Sequence, residues 1–232
     1  MDKYIVAIGG GEIKNGDTDK INEYIVSLSK SERPKLLFIP TASNDAIRYI
    51  ESVEEHFRNL GCEVSSLCLY DEYLDTKSIK KRIMSSDIIY IGGGNTITML
   101  EKWREYGVDK YLKDAYESGV IMSGLSAGSI CWFTYGHSDS NRFTNPDFNW
   151  DYVRAYGLGL IEGAHCPHYN EPGREQFDIM MENEEELLGI AVEDGAAVVY
   201  KNDEMYVIRE TEDKKAYKFY REDDILLKEE LI

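Results

Sequence analysis

Clustered basic residues are what this sequence most lacks. Lysine and arginine number 26 against 43 aspartates and glutamates, for a net charge of −17. Contacts to nucleic-acid phosphates need a patch of Lys and Arg, and no such patch is present, so a nucleic-acid partner is not expected. The same imbalance means that any anionic ligand has to be met by a local cation against the overall field. Cysteine is scarce too: Cys62, Cys68, Cys131 and Cys166 show no C-x-x-C spacing and are too few to staple a chain of 232 residues, which predicts reduced, mostly buried thiols. No apolar run approaches the length of a membrane span, and the opening "MDKYIVAIGGGEI" has neither the basic region nor the cleavage site of a secretory leader. The expectation is a cytoplasmic protein with no membrane partner. Nucleotide fingerprints are missing as well. Neither Gly9-Gly10-Gly11 nor Gly92-Gly93-Gly94 completes G-x-G-x-x-G, and there is no G-x-x-x-x-G-K-[ST], so no cofactor is expected.

What is present is the material of a globular α/β protein. Hydrophobic residues make up 43% of the chain, enough for one substantial core, and nothing resembling a linker divides it, so a single domain over 1–232 is expected. Apolar runs bounded by turn residues, "YIVAIGGG", "KLLFIPTAS", "EVSSLCLY", "DIIYIGGG" and "GVIMSGLS", alternate with stretches of helical period. Ile21, Tyr24, Ile25 and Leu28 share one helical face, as do Ile47, Ile50, Val53, Phe57 and Leu60. Further helical patterns cover Ser78 to Met84 and Thr96 to Ser118. This alternation predicts a doubly wound, mostly parallel sheet with helices on both faces, a three-layer architecture. From His137 to Asp151 the sequence is polar and aromatic without a period and reads as a long loop. A helix from about Arg174 to Leu188 follows, and "GIAVEDGAAVVY", "EMYVIRE" and "AYKFYRE" read as strands in C-terminal β-hairpins joined by turns such as "KND" and "TEDKK".

The stretch "SGLSAGS" fits G-x-S-x-G around Ser126. It ends an apolar strand and precedes a plausible helix, "AGSICWF", which is the setting of a nucleophile elbow. An elbow places the N–H of Ala127 beside a developing oxyanion, and "IGGGNT", at the end of the preceding strand, is the candidate for the second donor. A serine hydroxyl needs a base, and the chain has only four histidines, His56, His137, His165 and His168. The last two lie in "GAHCPHYNEPGRE", where H-x-x-H spacing suits either a metal or one general base and one structural histidine. With no third clustered ligand evident, no metal is expected. A third group should orient the base, and "AVEDGA" supplies Glu193 and Asp194 at the end of an apolar strand. The resulting order, Ser, His, acid, differs from the Ser, acid, His order of α/β-hydrolases and counts against that fold.

Taken together, "IGGGNT", "GLSAGS", "PHYN…GREQ" and "GIAVEDGAA", in this order and spacing, resemble peptidase family S51, whose members include peptidase E and cyanophycinase. The resemblance covers most of the chain. It implies a flavodoxin-like α/β fold related to class I glutamine amidotransferases, in which a cysteine occupies the elbow; Ser126 places this chain on the peptidase side. It further implies Ser126 as nucleophile, His168 as base, Gly94 and Ala127 as oxyanion donors, and Asp194, ahead of Glu193, as the acid. Arg174 in "GREQ" would pair with the carboxylate of an acidic substrate residue, with Asn95 as a second substrate-binding candidate, and Glu171 or Asp139 would receive the substrate amine. The implied activity is hydrolysis of small peptides, dipeptides with N-terminal Asp first among them, by a monomer or homodimer without cofactor. Two departures stand out. The segment between nucleophile and histidine is rich in aromatics, and "EGAHCPHY" replaces an apolar-Asn run, so a shifted substrate preference is expected.

Overall fold

In the computed structural model, residues 2–70, 74–145, 150–184, 188–202 and 204–232 are described. The first half alternates strand and helix as the pattern predicts: β1 (Tyr4–Ile8), α1 (Asp19–Ser27), β2 (Lys35–Ile39), α2 (Ile47–Asn59), β3 (Glu63–Ser66), α3 (Thr76–Met84), β4 (Ile88–Ile91), α4 (Thr96–Tyr106), α5 (Val108–Glu117) and β5 (Ile121–Leu125). The stretch 96–118, read as one helical pattern, is two helices. Gly107, at φ 72°, ends α4 and starts α5, a left-handed position that glycine takes without strain.

The five strands lie parallel in the order β3-β2-β4-β5-β1. Both faces are covered, which is why the strands read as continuous apolar runs; all four residues of β4 are buried. Side chains alternate along β1, with Ile5 and Ala7 on one face and Val6 and Ile8 on the other. Ile21, Ile25, Val53 and Phe57 of α1 and α2 pack on the second face; Ile79, Ile83, Met99, Trp103 and Leu112 of α3 to α5 pack on the first.

The second half consists of α6 (Ala127–Ile130), β6 (Phe133–Ser138), β7 (Val153–Tyr156), β8 (Ile161–Cys166), α7 (Gln176–Glu182), β9 (Gly189–Val192), β10 (Ala196–Lys201), β11 (Glu204–Arg209), β12 (Ala216–Glu222) and β13 (Ile225–Glu230). The hairpin β10–β11 extends the main sheet beyond β1 to seven strands. The hairpin β12–β13 belongs to a second, six-stranded sheet, β13-β12-β9-β8-β6-β7, in which β6, β8 and β9 are parallel.

That second sheet corrects two expectations. "AGSICWF" is helical for a single turn, after which Trp132 and Phe133 turn inward, fully buried, into the core against the first sheet. His137 and Ser138 belong to β6, not to a loop, and 140–143 form a short 3-10 turn. Polar residues can line this buried strand because they bond to one another: the Ser138 hydroxyl donates to Thr96 Oγ1 at 3.1 Å. Part of the expected loop (146–149), the end of the expected Arg174–Leu188 helix (185–187) and one residue of the "KND" turn (203) lie outside the described residues. Phe177 and Met181 of α7 cover the outer face of the second sheet against Cys166, Ala191 and Phe219. All four cysteines are free thiols, and Cys62, Cys131 and Cys166 are buried. Among the described residues no helix is long and apolar enough to cross a membrane.

Candidate active site

The turn from β5 into α6 holds Ser126 at φ 58°, ψ −113°, a conformation a non-glycine residue rarely adopts. The glycines on either side are fixed by contact. A Cβ on Gly124 would stand 2.2 Å from the Gly128 carbonyl oxygen, and one on Gly128 would stand 2.3 Å from that of Ile91. Helix and strand therefore meet backbone to backbone, and the Ser126 N–H donates to the Ile8 carbonyl at 3.1 Å, anchoring the elbow to β1.

The Ser126 hydroxyl lies 2.8 Å from His168 Nε2, and His168 Nδ1 lies 2.6 Å from Asp194 Oδ1. With Nδ1–H donated to the carboxylate, the neutral ring presents Nε2 as an acceptor for the serine proton. Each member comes from a different connection. His168 follows β8, sits at φ 54° and donates its N–H to the Gly9 carbonyl at 3.1 Å. Asp194 lies in the turn where the chain leaves β9 in the second sheet and enters β10 in the first, bridged to Gly10. Burial pushes the Asp194 carboxyl up, but the hydrogen bond and charge of His168, helped by Asn170 and Lys214, outweigh it and hold the group below the usual carboxylate range. Asn170 braces Asp194 from both sides, donating to Oδ2 at 3.2 Å and accepting the Asp194 N–H at 2.8 Å.

Of the two acids expected here, only Asp194 reaches the histidine. Glu193 points the other way, its carboxylate accepting the Lys215 N–H at 3.1 Å, as the alternation of strand side chains requires. Gly94, at φ 137°, packs against the Ala42 carbonyl, which a Cβ would approach to 2.1 Å. Its neighbour Gly93 gives its N–H to the Tyr49 hydroxyl at 3.2 Å. Ala127 is the first residue of α6, where the N–H has no acceptor in the helical ladder. Gly93, Gly94, Ser126, His168, Glu171 and Asp194 all line one cavity of about 1010 Å³.

Other expected site residues lie elsewhere. Arg174 is 1% exposed and does not reach the cavity. It donates to the His137 carbonyl at 3.0 Å, pairs with Asp139 at 3.6 Å and stacks over Tyr152. That corrects its reading as a substrate ligand, and removes Asp139 with it. Asn95, 7% exposed, caps α4 by accepting the Thr98 N–H at 3.1 Å and is not among the residues lining the cavity. His165 and His168 do not converge. His165 is fully buried under the elbow, stacked on Phe133, with its ring nitrogens 2.8 Å from the Ser129 hydroxyl and 2.9 Å from the Ile190 carbonyl. Burial, opposed by the hydrogen bond to the Ile190 carbonyl, drives its pKa down to about 3; burial and the charge of Arg174 do the same to His137. Of the HxxH pair only His168 belongs to a set able to hold a metal ion: His168, Glu171 and Asp194 offer ligand atoms within 4.8 Å of one another.

Gly10 shows its importance only in the fold. A Cβ there would stand 1.8 Å from Asp194 Oδ1 and 2.3 Å from His168 Nδ1, so the first glycine run is the floor on which the His–Asp pair rests. The glycine run is plain in the sequence, but its purpose depends on residues far along the chain.

Against known proteins, the model of peptidase family S51 matches residues 5–208. The chain belongs to peptidase family S51. It is 35% identical to the uncharacterized peptidase YgaJ of Bacillus subtilis over 220 residues, covering 93% of this chain and 91% of that one. It is 28% identical to a peptidase E of Shewanella amazonensis over 219 residues, 88% and 86% of the two chains. In fold it is similar to a putative peptidase E protein from Listeria monocytogenes (TM-score 0.67, 19% identity, 91% and 100% covered) and to a peptidase from an acI-B1 actinobacterium (TM-score 0.75, 18% identity, 98% and 94% covered). This S51 member is thus an enzyme, a peptidase, whose two-sheet fold is shared by solved relatives.

Proposed function

We propose that the chain is a serine peptidase that hydrolyses small peptides, dipeptides with N-terminal Asp foremost, through a Ser126–His168–Asp194 triad and an acyl-enzyme. The observation that carries this reading is the continuous hydrogen-bonded path from the Ser126 hydroxyl through His168 to Asp194. Ser126 Oγ attacks the scissile carbonyl carbon as His168 Nε2 takes the hydroxyl proton, and Asp194 holds the ring and stabilises the imidazolium. The N–H groups of Gly94 and Ala127 meet the oxyanion. His168 then protonates the departing amine, and water, activated by the same imidazole, releases the acid and restores Ser126. The acidic cavity wall that includes Glu171 suits the free amine of a short peptide.

The test is hydrolysis of a dipeptide panel led by Asp-Leu, with simple esters as controls, by wild type and Ser126→Ala. Removal of a triad nucleophile leaves only the background, so kcat should fall by about 10⁴-fold or more with the fold intact. Retained turnover in Ser126→Ala refutes the mechanism, and hydrolysis of esters without peptides refutes the substrate class.

A further inference from the structure

The charges that line the cavity are unevenly answered. Glu12, Asp17, Glu171, Asp194 and Glu210 face it, and so do three cations, Lys14, Arg48 and Lys214. Lys14 Nζ lies 4.0 Å from a Glu12 carboxylate oxygen and Lys214 Nζ 4.0 Å from one of Asp213. The Arg48 guanidinium has no ion pair, hydrogen bond or ring partner among the described residues; only its backbone carbonyl is engaged, by the Ser52 hydroxyl. In a chain carrying −17, with five carboxylates around the same cavity, Arg48 brings an unpaired planar donor to the residues that line it.

Its placement is fixed relative to the reacting serine. Arg48 is the second residue of α2, and the next residue, Tyr49, accepts the Gly93 N–H, which ties this end of α2 to the glycine loop beside Ser126. Glu171, which lines the same cavity, lies 3.9 Å from His168 Nδ1. The cavity thus carries both signs of charge around the serine, a guanidinium on α2 and carboxylates beside the histidine and on the loop after β1. A short peptide with free ends has the complementary charges.

We propose that Arg48 is the anion-recognising residue of this cavity, binding a carboxylate of the peptide substrate through its paired N–H donors. The proposal rests on the peptidase reading above and gives to α2 the role that the buried Arg174 cannot perform. A peptide such as Asp-Leu offers that carboxylate from two sources, the side chain of its first residue or its C-terminus, and the chemistry of recognition is the same for both.

The experiment compares wild type, Arg48→Gln and Arg48→Lys on Asp-Leu, Asn-Leu and Asp-Leu amide. Arg48 is exposed, so its replacement leaves the packing undisturbed. Arg48→Gln should lose about 10- to 100-fold in kcat/KM on Asp-Leu, mainly in KM, with partial recovery in Arg48→Lys. A collapse of the Asp-Leu over Asn-Leu preference assigns the side-chain carboxylate; a collapse of Asp-Leu over Asp-Leu amide assigns the C-terminus. If Arg48→Gln leaves both preferences and KM unchanged, the proposal is overturned while the triad reading stands. Calorimetric titration of Asp-Leu into Ser126→Ala and into Ser126→Ala/Arg48→Gln decides the matter without turnover. Binding by the first that is lost in the second supports Arg48 even if wild type cleaves none of the three peptides; equal binding, or none to either, overturns it.

Discussion

Lowering the pH from 7.5 to 5 should cost this protein about 4 kcal/mol of stability through two buried histidines. His137 is 4% exposed and His165 fully buried, and both are held neutral in the fold with pKa values driven down to about 3. In the unfolded chain the same rings titrate near the ordinary histidine value of about 6.5. Between these limits the unfolded state binds protons that the folded state refuses, so stability is full above about pH 6.5 and declines as pH falls toward 3. Integrated from pH 7.5 to 5, each ring contributes about 2 kcal/mol of loss, against a total for a typical domain of about 5–15 kcal/mol. His56, whose pKa burial also lowers, adds in the same direction. Asp194 acts outside this window: a carboxyl held below its ordinary range contributes stability that persists above about pH 4 and is lost only as pH falls through its folded value. Urea unfolding followed by far-ultraviolet circular dichroism at several pH values measures the slope, and proton uptake on unfolding at pH 5 should reach about two per molecule from His137 and His165, with His56 adding to it. In His137→Gln the pH dependence should fall by about half, whatever the baseline stability. A free energy flat to within about 1 kcal/mol across the window refutes the reasoning.

Two further predictions concern the His–Asp pair. Asp194→Asn should lower kcat by about 10²- to 10⁴-fold because the ring loses its orienting charge, whereas Glu193→Gln, bonded to the strand behind, should stay within about tenfold of wild type; kinetics on one dipeptide separates them, and the reverse ranking makes Glu193 the acid. Gly10→Ala places a methyl group where Asp194 and His168 now sit, so kcat should drop by at least about 10²-fold, read together with loss of Ser126 labelling by a fluorophosphonate. Unchanged labelling and turnover in Gly10→Ala mean that the floor yields.

The first half of the fold is legible because continuous apolar strands alternate with helices of clear period, and the glycines after β4 and around Ser126 announce the elbow. The second sheet is not, because β6 carries Gly136, His137 and Ser138 in buried positions that look like loop until their partners, among them Thr96, are known. At the site, Ser126, His168 and Asp194 can be named from spaced motifs, while Arg174 misleads. A charged residue next to a catalytic-looking segment gives no sign of being fully packed under Tyr152. Arg48 and Gly10 escape notice for the opposite reason. Nothing near them in the chain hints at what they face, and their meaning comes only from how distant segments are brought together.

The bridge between the two sheets at Gly10 and Asp194 bears on when the enzyme becomes active during its own synthesis. In the proposed triad the nucleophile is made first, its base 42 residues later and the acid another 26 after that, in the turn that carries the chain from β9 in the second sheet to β10 in the first. If that triad is the catalytic one, a chain still emerging from the ribosome carries a serine without its base. On that reading hydrolytic competence requires β9 and β10 to be in place, with β10 paired to β1, so the appearance of activity should mark the docking of the second sheet onto the first.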